Sequence, residues 1–344
     1  MNRYSIIKVY RKIKSPRIKL FGILCLHLFR RRYLCVVFDP ILACNLRCRL
    51  CYFSNPEKRA TMGSVFSEDD INAFANSLFH RCLKLQIGCG AEPTTYKNLA
   101  SIVALAHSKG VPNISLITNG QLLNKEQLML MADHGLNELT LSCHGFSKEV
   151  YEHMMHGARF ECFTQLLAYI KDVKEKHPSL NVRINYTMCA DNIADLQLLP
   201  KVFANTKPDI IQLRPAQDIG STVYDKYNED SIAIDYEKNI VPIVSFCKDN
   251  GITILYPEPR NLSITAEENN NKQHLNSAVD MLPYFNIAPY HNWKEKFNPH
   301  TESFEQYSRR TGRVSNILRL LFSFSPASNK EQEDATKALN YTIK

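Results

Sequence analysis

The stretch Cys44-Asn45-Leu46-Arg47-Cys48-Arg49-Leu50-Cys51-Tyr52 sets three cysteines at C-x3-C-x2-C, directly after the apolar run at 34–43. Three thiolates on one short loop make a ligand set that is one short of a closed tetrahedral site. A fourth position is left for something else. A structural zinc site wants four ligands, usually on paired C-x2-C knuckles, and the sequence has no second pair. A ferredoxin-type carrier needs a further cysteine at a defined spacing, which is missing nearby. Three thiolates suit a 4Fe-4S cluster with one iron open. With 11 cysteines in 344 residues, chance produces this spacing in roughly one chain in a hundred, so the surrounding pattern has to decide.

That pattern alternates short β-rich runs with longer amphipathic ones, as successive βα units of a parallel sheet do. Strands are expected at 34–43, 83–89, 112–118, 138–143, 181–189 and 209–213, with a seventh short one at 252–256. Helices are expected at 68–80, 96–108, 125–134, 148–176 with a break at Gly157, and 235–249. Asp191 or Asn192 is placed to cap the segment after the fifth strand. Beyond 257 strand signals thin out, 267–273 reads as a solvated polar loop, 305–325 recovers helical character, and 326–344 reads as a frayed tail.

In parallel sheets the reactive groups collect where strands hand over to loops. The first strand runs into Cys44, Cys48 and Cys51, the second into Gly90, Glu92 and Pro93, the third into Thr118, Asn119 and Gly120, and the fourth into Ser142 and His144. Each of the last three could be an ordinary turn. Their agreement along the chain is worth more than any one alone. Of the scattered histidines, His144 is kept as a neighbour of the site.

Composition sets the outer limits. A chain of 344 residues with 44% hydrophobic content can build one large α/β barrel or two ordinary domains. An odd number of scattered cysteines argues for reduced thiols in a cytoplasmic setting, and Cys25, Cys35, Cys82, Cys89, Cys143, Cys162, Cys189 and Cys247 read mostly as small buried residues. The net charge of +8 lies in residues 1–33, which hold ten Lys or Arg and no acid; the remaining 32 bases and 34 acids nearly cancel. A near-neutral body argues against a nucleic-acid partner. The basic arm encloses ten mostly apolar residues at 20–29, too few to span a bilayer. Arg30 to Arg32 stand where a signal peptide would be cleaved, so secretion is disfavoured. The arm is either a helix packed over the end of the barrel or an interfacial helix on anionic lipid at the inner face of a membrane, with 309–322 as a second such segment.

Taken together these residues resemble the radical S-adenosylmethionine (radical SAM) enzymes. Cys44-x3-Cys48-x2-Cys51 followed by Tyr52 is similar to that family's cluster loop, and Gly90-Ala91-Glu92-Pro93 to its Gly-Gly-Glu-Pro element, with Ala91 at the second glycine. Thr118-Asn119-Gly120 and Leu141-Ser142 with His144-Gly145 fall in the expected order, and the likeness covers residues 34–256. The resemblance implies an α/β fold, a partial (β/α)6 TIM-type barrel at 34–256. A basic helical arm at 1–33 precedes it; an extension at 257–325 and a tail at 326–344 follow.

By the same resemblance, Cys44, Cys48 and Cys51 hold one 4Fe-4S cluster whose open iron takes the amino and carboxylate groups of SAM. Reductive cleavage of SAM then gives a 5'-deoxyadenosyl radical that removes hydrogen from substrate, with no catalytic residue assigned beyond the cluster. Gly90 and Glu92 would hold the amino group, Ser142 the ribose or carboxylate, and the Tyr52 backbone the adenine, with Asn119 and Asn185 as further SAM contacts and Arg214 facing cofactor or substrate. A low-potential donor such as flavodoxin or ferredoxin is the implied partner, and the substrate is unidentified. Relatives with SPASM or twitch extensions bind auxiliary clusters there; this chain has no cysteine after Cys247, which leaves one cluster. The competing expectations are a zinc-binding structural or nucleic-acid-binding module, and a SAM-binding protein without turnover.

Overall fold

The computed structural model describes residues 15–220, 222–227, 236–257 and 279–322, with 13 and 232. The expected polar loop at 267–273, the tail at 326–344 and the first twelve residues lie outside the described residues. The first described element is α1 (Pro16–Leu28), whose first turn is capped by Ser15 and opened by a proline at the position where a missing N–H costs nothing. Leu20, Ile23 and Leu24 pack inward from it. Then come β1 (Leu34–Phe38), α2 (Glu68–Ser77), β2 (Cys82–Ile87), α3 (Leu99–Ser108), β3 (Asn113–Thr118), α4 (Lys125–Asp133) and β4 (Glu138–Cys143). Next are α5 (Lys148–Met154), α6 (Phe160–Lys176), β5 (Asn181–Met188), β6 (Ile210–Pro215), α7 (Val241–Asp249) and the short β7 (Thr253–Leu255). The break between α5 and α6 falls at Gly157, whose φ of 91° is left-handed and suits glycine.

All strands pair in parallel in one open sheet, in the order β7-β6-β5-β4-β3-β2-β1-β8, where β8 is Tyr284–Ile287. The six principal strands and the seventh short one thus form the expected partial barrel. β8 is a departure from the expectation of few strands beyond 257. It finds its strand state by pairing Cys35 with Tyr284 through Phe38 with Ile287, along an edge of β1 that is otherwise unpaired. A second departure is that the helical region near 305–325 is two helices, α8 (Phe304–Arg310) and α9 (Arg313–Phe322), separated at Gly312.

Aromatic packing welds this C-terminal segment to the barrel. Trp293 meets Phe66 and Phe74 at ring separations of 4.9 and 5.2 Å, and Phe297 meets Phe285 at 5.5 Å. A polar knot does the same for α1. Arg81, fully buried, donates to the carbonyl of His27 at 3.0 Å and pairs with Glu305 of α8 at 3.0 Å, while Arg313 of α9 donates to the Tyr33 hydroxyl at 3.0 Å. Side chains on β3 to β6 alternate in period two, so Leu139, Leu141, Val182 and Ile184 join the core under the helices and the polar residues between them face the lumen.

Candidate active site at the strand ends

The three-cysteine loop leaves β1 through Asp39 and is fastened on three sides. Its backbone donates from Arg47 to the carbonyl of His156 and from Arg49 to that of Met154, both at 2.9 Å, which docks it on the end of α5. Arg49 reaches Asp191 beyond β5 at 3.3 Å. Asn119, at the end of β3, donates its amide to Asn45 at 2.9 Å and approaches the Cys44 sulfur at 3.9 Å, where the backbone N–H of Leu46 also points at 3.4 Å. Cys48 and Cys51 line a cavity of about 100 Å³ together with His144, Thr187 and Gln217.

Desolvation acts on all three thiols. Burial pushes Cys44 up to about 11 and Cys48 well above the usual thiol range, and in both the neighbouring cysteines push the same way; burial also raises Cys51. Such thiols are protonated, poor nucleophiles unless a metal's charge replaces the proton, so the donor set fits a metal-bound group and not a nucleophilic cysteine. Among the described residues no three His, Cys, Asp or Glu side chains converge as a single metal ion requires.

Glu92 is 3% exposed and its carboxylate is already well occupied. It accepts from the Thr94 backbone N–H and hydroxyl at 3.1 and 2.5 Å, from the Thr118 hydroxyl at 2.6 Å and from the Asn119 N–H at 2.7 Å. Burial raises its pKa and these donors oppose the rise. The side chain expected to hold only an amino group thus also clips the ends of β2 and β3 together. Gly90 is a point of close approach: a Cβ there would stand 3.0 Å from the Tyr52 hydroxyl, which donates to the Gly90 carbonyl. Ser142 and Asn185 share a register pair across β4 and β5, with Gln212 next in line on β6, which sets Asn185 inward. The Asn185 carbonyl oxygen is buried with no hydrogen-bond partner among the described residues. Below this row Glu138 lies between Lys84 at 3.6 Å and Arg183 at 3.3 Å, and Arg214 donates to Gln212 at 2.7 Å. Polar and charged side chains thus line this face of the sheet.

Two expectations are corrected. Asn192 caps no helix: its side chain accepts from the Cys189 N–H at 2.7 Å and donates to the carbonyls of His144 and Thr187, tying β4 to β5 at the rim. Cys89 is exposed at the end of β2, unlike the buried Cys82, Cys143, Cys189 and Cys247. His144 is desolvated, which lowers its pKa to about 4 and keeps it neutral beside the cluster loop.

Asp39 is a rim residue that the strand-end reading passed over, though it is the first polar residue after β1. Its carboxylate accepts from the backbone N–H groups of Cys89 at 2.8 Å and Gly90 at 3.1 Å, holding the loop that carries Gly90. Burial raises its pKa to about 6 against the pull of those donors. In the unfolded chain it titrates near its ordinary value of about 3.9. The folded form therefore holds the proton more tightly. Its contribution to stability is full below about pH 4 and is lost as pH rises through about 6, by about 3 kcal/mol at most. Urea unfolding of wild type and Asp39→Asn should show a gap moving in favour of the variant between pH 4 and pH 6.5. A gap independent of pH would show that Asp39 does not titrate in this window.

Residues 39–190 match the model of the Radical SAM superfamily. The chain carries a radical SAM domain. The domain belongs to a family that uses a 4Fe-4S cluster and SAM. Among curated relatives, the chain is 26% identical over 147 residues to GTP 3',8-cyclase of Chlorobaculum tepidum, which is 42% of each protein. It is also 26% identical over 170 residues to the Fe-coproporphyrin III synthase of Methanosarcina barkeri, which is 49% of this chain and 39% of that one. The chain spans about two fifths of the length of these relatives. Its fold is that of the Streptococcus suis SuiB structure bound to S-adenosylmethionine, at a TM-score of 0.58 and 14% identity, covering 81% of this chain and 68% of the other. Among the described residues, no helix is long and apolar enough to cross a membrane.

Proposed function

We propose that the protein is a radical SAM enzyme in which Cys44, Cys48 and Cys51 each bond one iron of a single 4Fe-4S cluster. The observation that carries this is the trio of partly buried thiols, each raised by desolvation, on a loop clamped to the ends of β3 and β5 and to the end of α5. When bound, the cluster and SAM supply, with one electron from a low-potential donor of the flavodoxin or ferredoxin kind, an adenosyl radical that takes a hydrogen atom from substrate. The chain's part is to bind, orient and keep water out. The backbone near Gly90 and the Glu92 carboxylate would hold the SAM amino group, Ser142 the ribose or carboxylate, Asn119 and Asn185 would be further SAM contacts, and the Tyr52 backbone would meet adenine. N–H donors on the Cys44 sulfur favour the reduced cluster. The polar lumen receives the substrate.

We also infer that the protein works at the inner face of a membrane, attached peripherally through the region around 17–33. Exposed apolar residues on α1 support this location.

Anaerobic reconstitution tests the enzymatic reading. It should give about four irons and four sulfides per chain, a reduced-cluster electron paramagnetic resonance signal that shifts on adding SAM, and 5'-deoxyadenosine. One zinc and no sulfide would replace the reading with a zinc module. A SAM-responsive cluster without 5'-deoxyadenosine would mark a binding protein without turnover.

A further inference from the structure

Helices α1 and α9 come from opposite ends of the described chain and pack side by side, joined by the His27, Tyr33 and Arg313 contacts. Their inner faces are core: Leu20 and Ile23 of α1 and Ile317 of α9 are buried. Their outer faces are apolar as well. On α1, Ile18, Phe21 and Leu28 follow helical spacing along one side and Phe29 continues it, with Phe21 59% and Phe29 76% exposed. On α9, Leu318 and Phe322 stand on one face, and Phe322 is 72% exposed. Single exposed apolar residues need no explanation, but aligned phenylalanines on two adjacent helices do.

Charge says what covers them. Residues 15–33 and 306–322 contain nine Lys or Arg and no Asp or Glu. Several are spent inside the protein, as Lys19 is on Asp280 and Arg32 on the carbonyls of Phe79, Cys82 and Lys109. Arg30, Arg31 and Arg309 are exposed around the apolar faces. Arg30 is also the one described non-glycine residue with positive φ, at 52°. It sits just past the end of α1, where its N–H donates to His27 and that of Arg31 to Leu26, the position glycine usually takes. Holding an arginine there is costly to the backbone, and a surface that uses its charge accounts for it.

We propose that the outer faces of α1 and α9 together form one docking surface for an anionic phospholipid bilayer, with the phenylalanines in the acyl boundary and the arginines at the headgroups. A second copy fits less well, because a two-fold interface would set this predominantly basic surface against itself. The inference rests on the membrane location inferred above and adds the exposed side chains of the two packed helices that would make the contact.

Flotation of the full chain tests it, with vesicles of phosphatidylcholine alone and with about 30% phosphatidylglycerol added. Wild type should float with the anionic vesicles, and binding should weaken roughly tenfold on neutral vesicles or in about 0.5 M salt. Phe322→Glu on α9 and Phe21→Glu on α1 should each weaken flotation by roughly tenfold, with circular dichroism melts unchanged because both side chains are exposed. Arg30→Gln with Arg31→Gln should flatten the salt dependence. If wild type floats and Phe322→Glu floats equally, the two-helix surface is wrong while the membrane location stands. If wild type stays in solution with both vesicle types, both are wrong. Self-association that the phenylalanine variants abolish, without flotation, would assign the surface to a second copy instead.

Discussion

Cys48→Ala is expected to strip the protein of its cluster, reducing reconstituted iron from about four per chain to well under one and 5'-deoxyadenosine formation to background. Cys48 is the sensitive choice because desolvation pushes its thiol well above the usual range and both Cys51 and Cys44 add to the rise. Removing it leaves two thiols, and two ligands cannot hold three irons of a cubane. The fold should survive, since a buried cysteine packs as a small hydrophobe and loss of its sulfur costs roughly 1 kcal/mol. A circular dichroism melt close to wild type, together with lost iron, would separate ligand loss from unfolding. Unchanged iron and SAM cleavage would end the cluster reading.

What the sequence made legible follows from the range over which each signal acts. β4 emerged with its expected bounds because Glu138-Leu139-Thr140-Leu141-Ser142-Cys143 alternates in strict period two, lumen side polar and helix side apolar. The three cysteines are neighbours in one loop, so their meeting needed no tertiary information. β8 was hidden for the opposite reason. Tyr284–Ile287 is four residues outside the βα repeat, and only the open edge of β1, about 250 residues earlier, makes it a strand. Arg49 with Asp191, and Asn192 with His144, are likewise partners across strand ends far apart in sequence.

Asp39 is the instructive miss. An aspartate before Pro40 reads locally as a turn residue. Its function as a clip on the Gly90 loop exists only because β1 and β2 are adjacent and parallel, which brings the Cys89 and Gly90 N–H groups to its carboxylate. The residues flagged at strand ends were found by type, while their duties depend on neighbours that only the sheet order supplies.

Glu92→Ala separates the two duties that meet in that side chain. If Glu92 served SAM alone, the substitution would weaken SAM binding and leave the SAM-free protein as stable as before. The structure gives it four donors from Thr94, Thr118 and Asn119, and truncation leaves the Asn119 N–H and the Thr118 hydroxyl buried without their acceptor. Each such orphan costs about 1–3 kcal/mol, so a loss of about 3 kcal/mol is expected before any ligand is added. For a chain of this size that is a fall in Tm on the order of 5 °C. Asn119 would also be released from the loop, because the backbone bond to Glu92 fixes the residue whose amide reaches Asn45 and Cys44. Iron loading should therefore drop as well as SAM affinity. Glu92→Gln keeps one carbonyl acceptor and should recover part of the SAM-free stability while still binding SAM weakly, since an amide cannot offer a cationic amino group a negative charge. A SAM-free Tm equal to wild type in Glu92→Ala would show that the four contacts carry no net stability and that the residue acts on the cofactor alone.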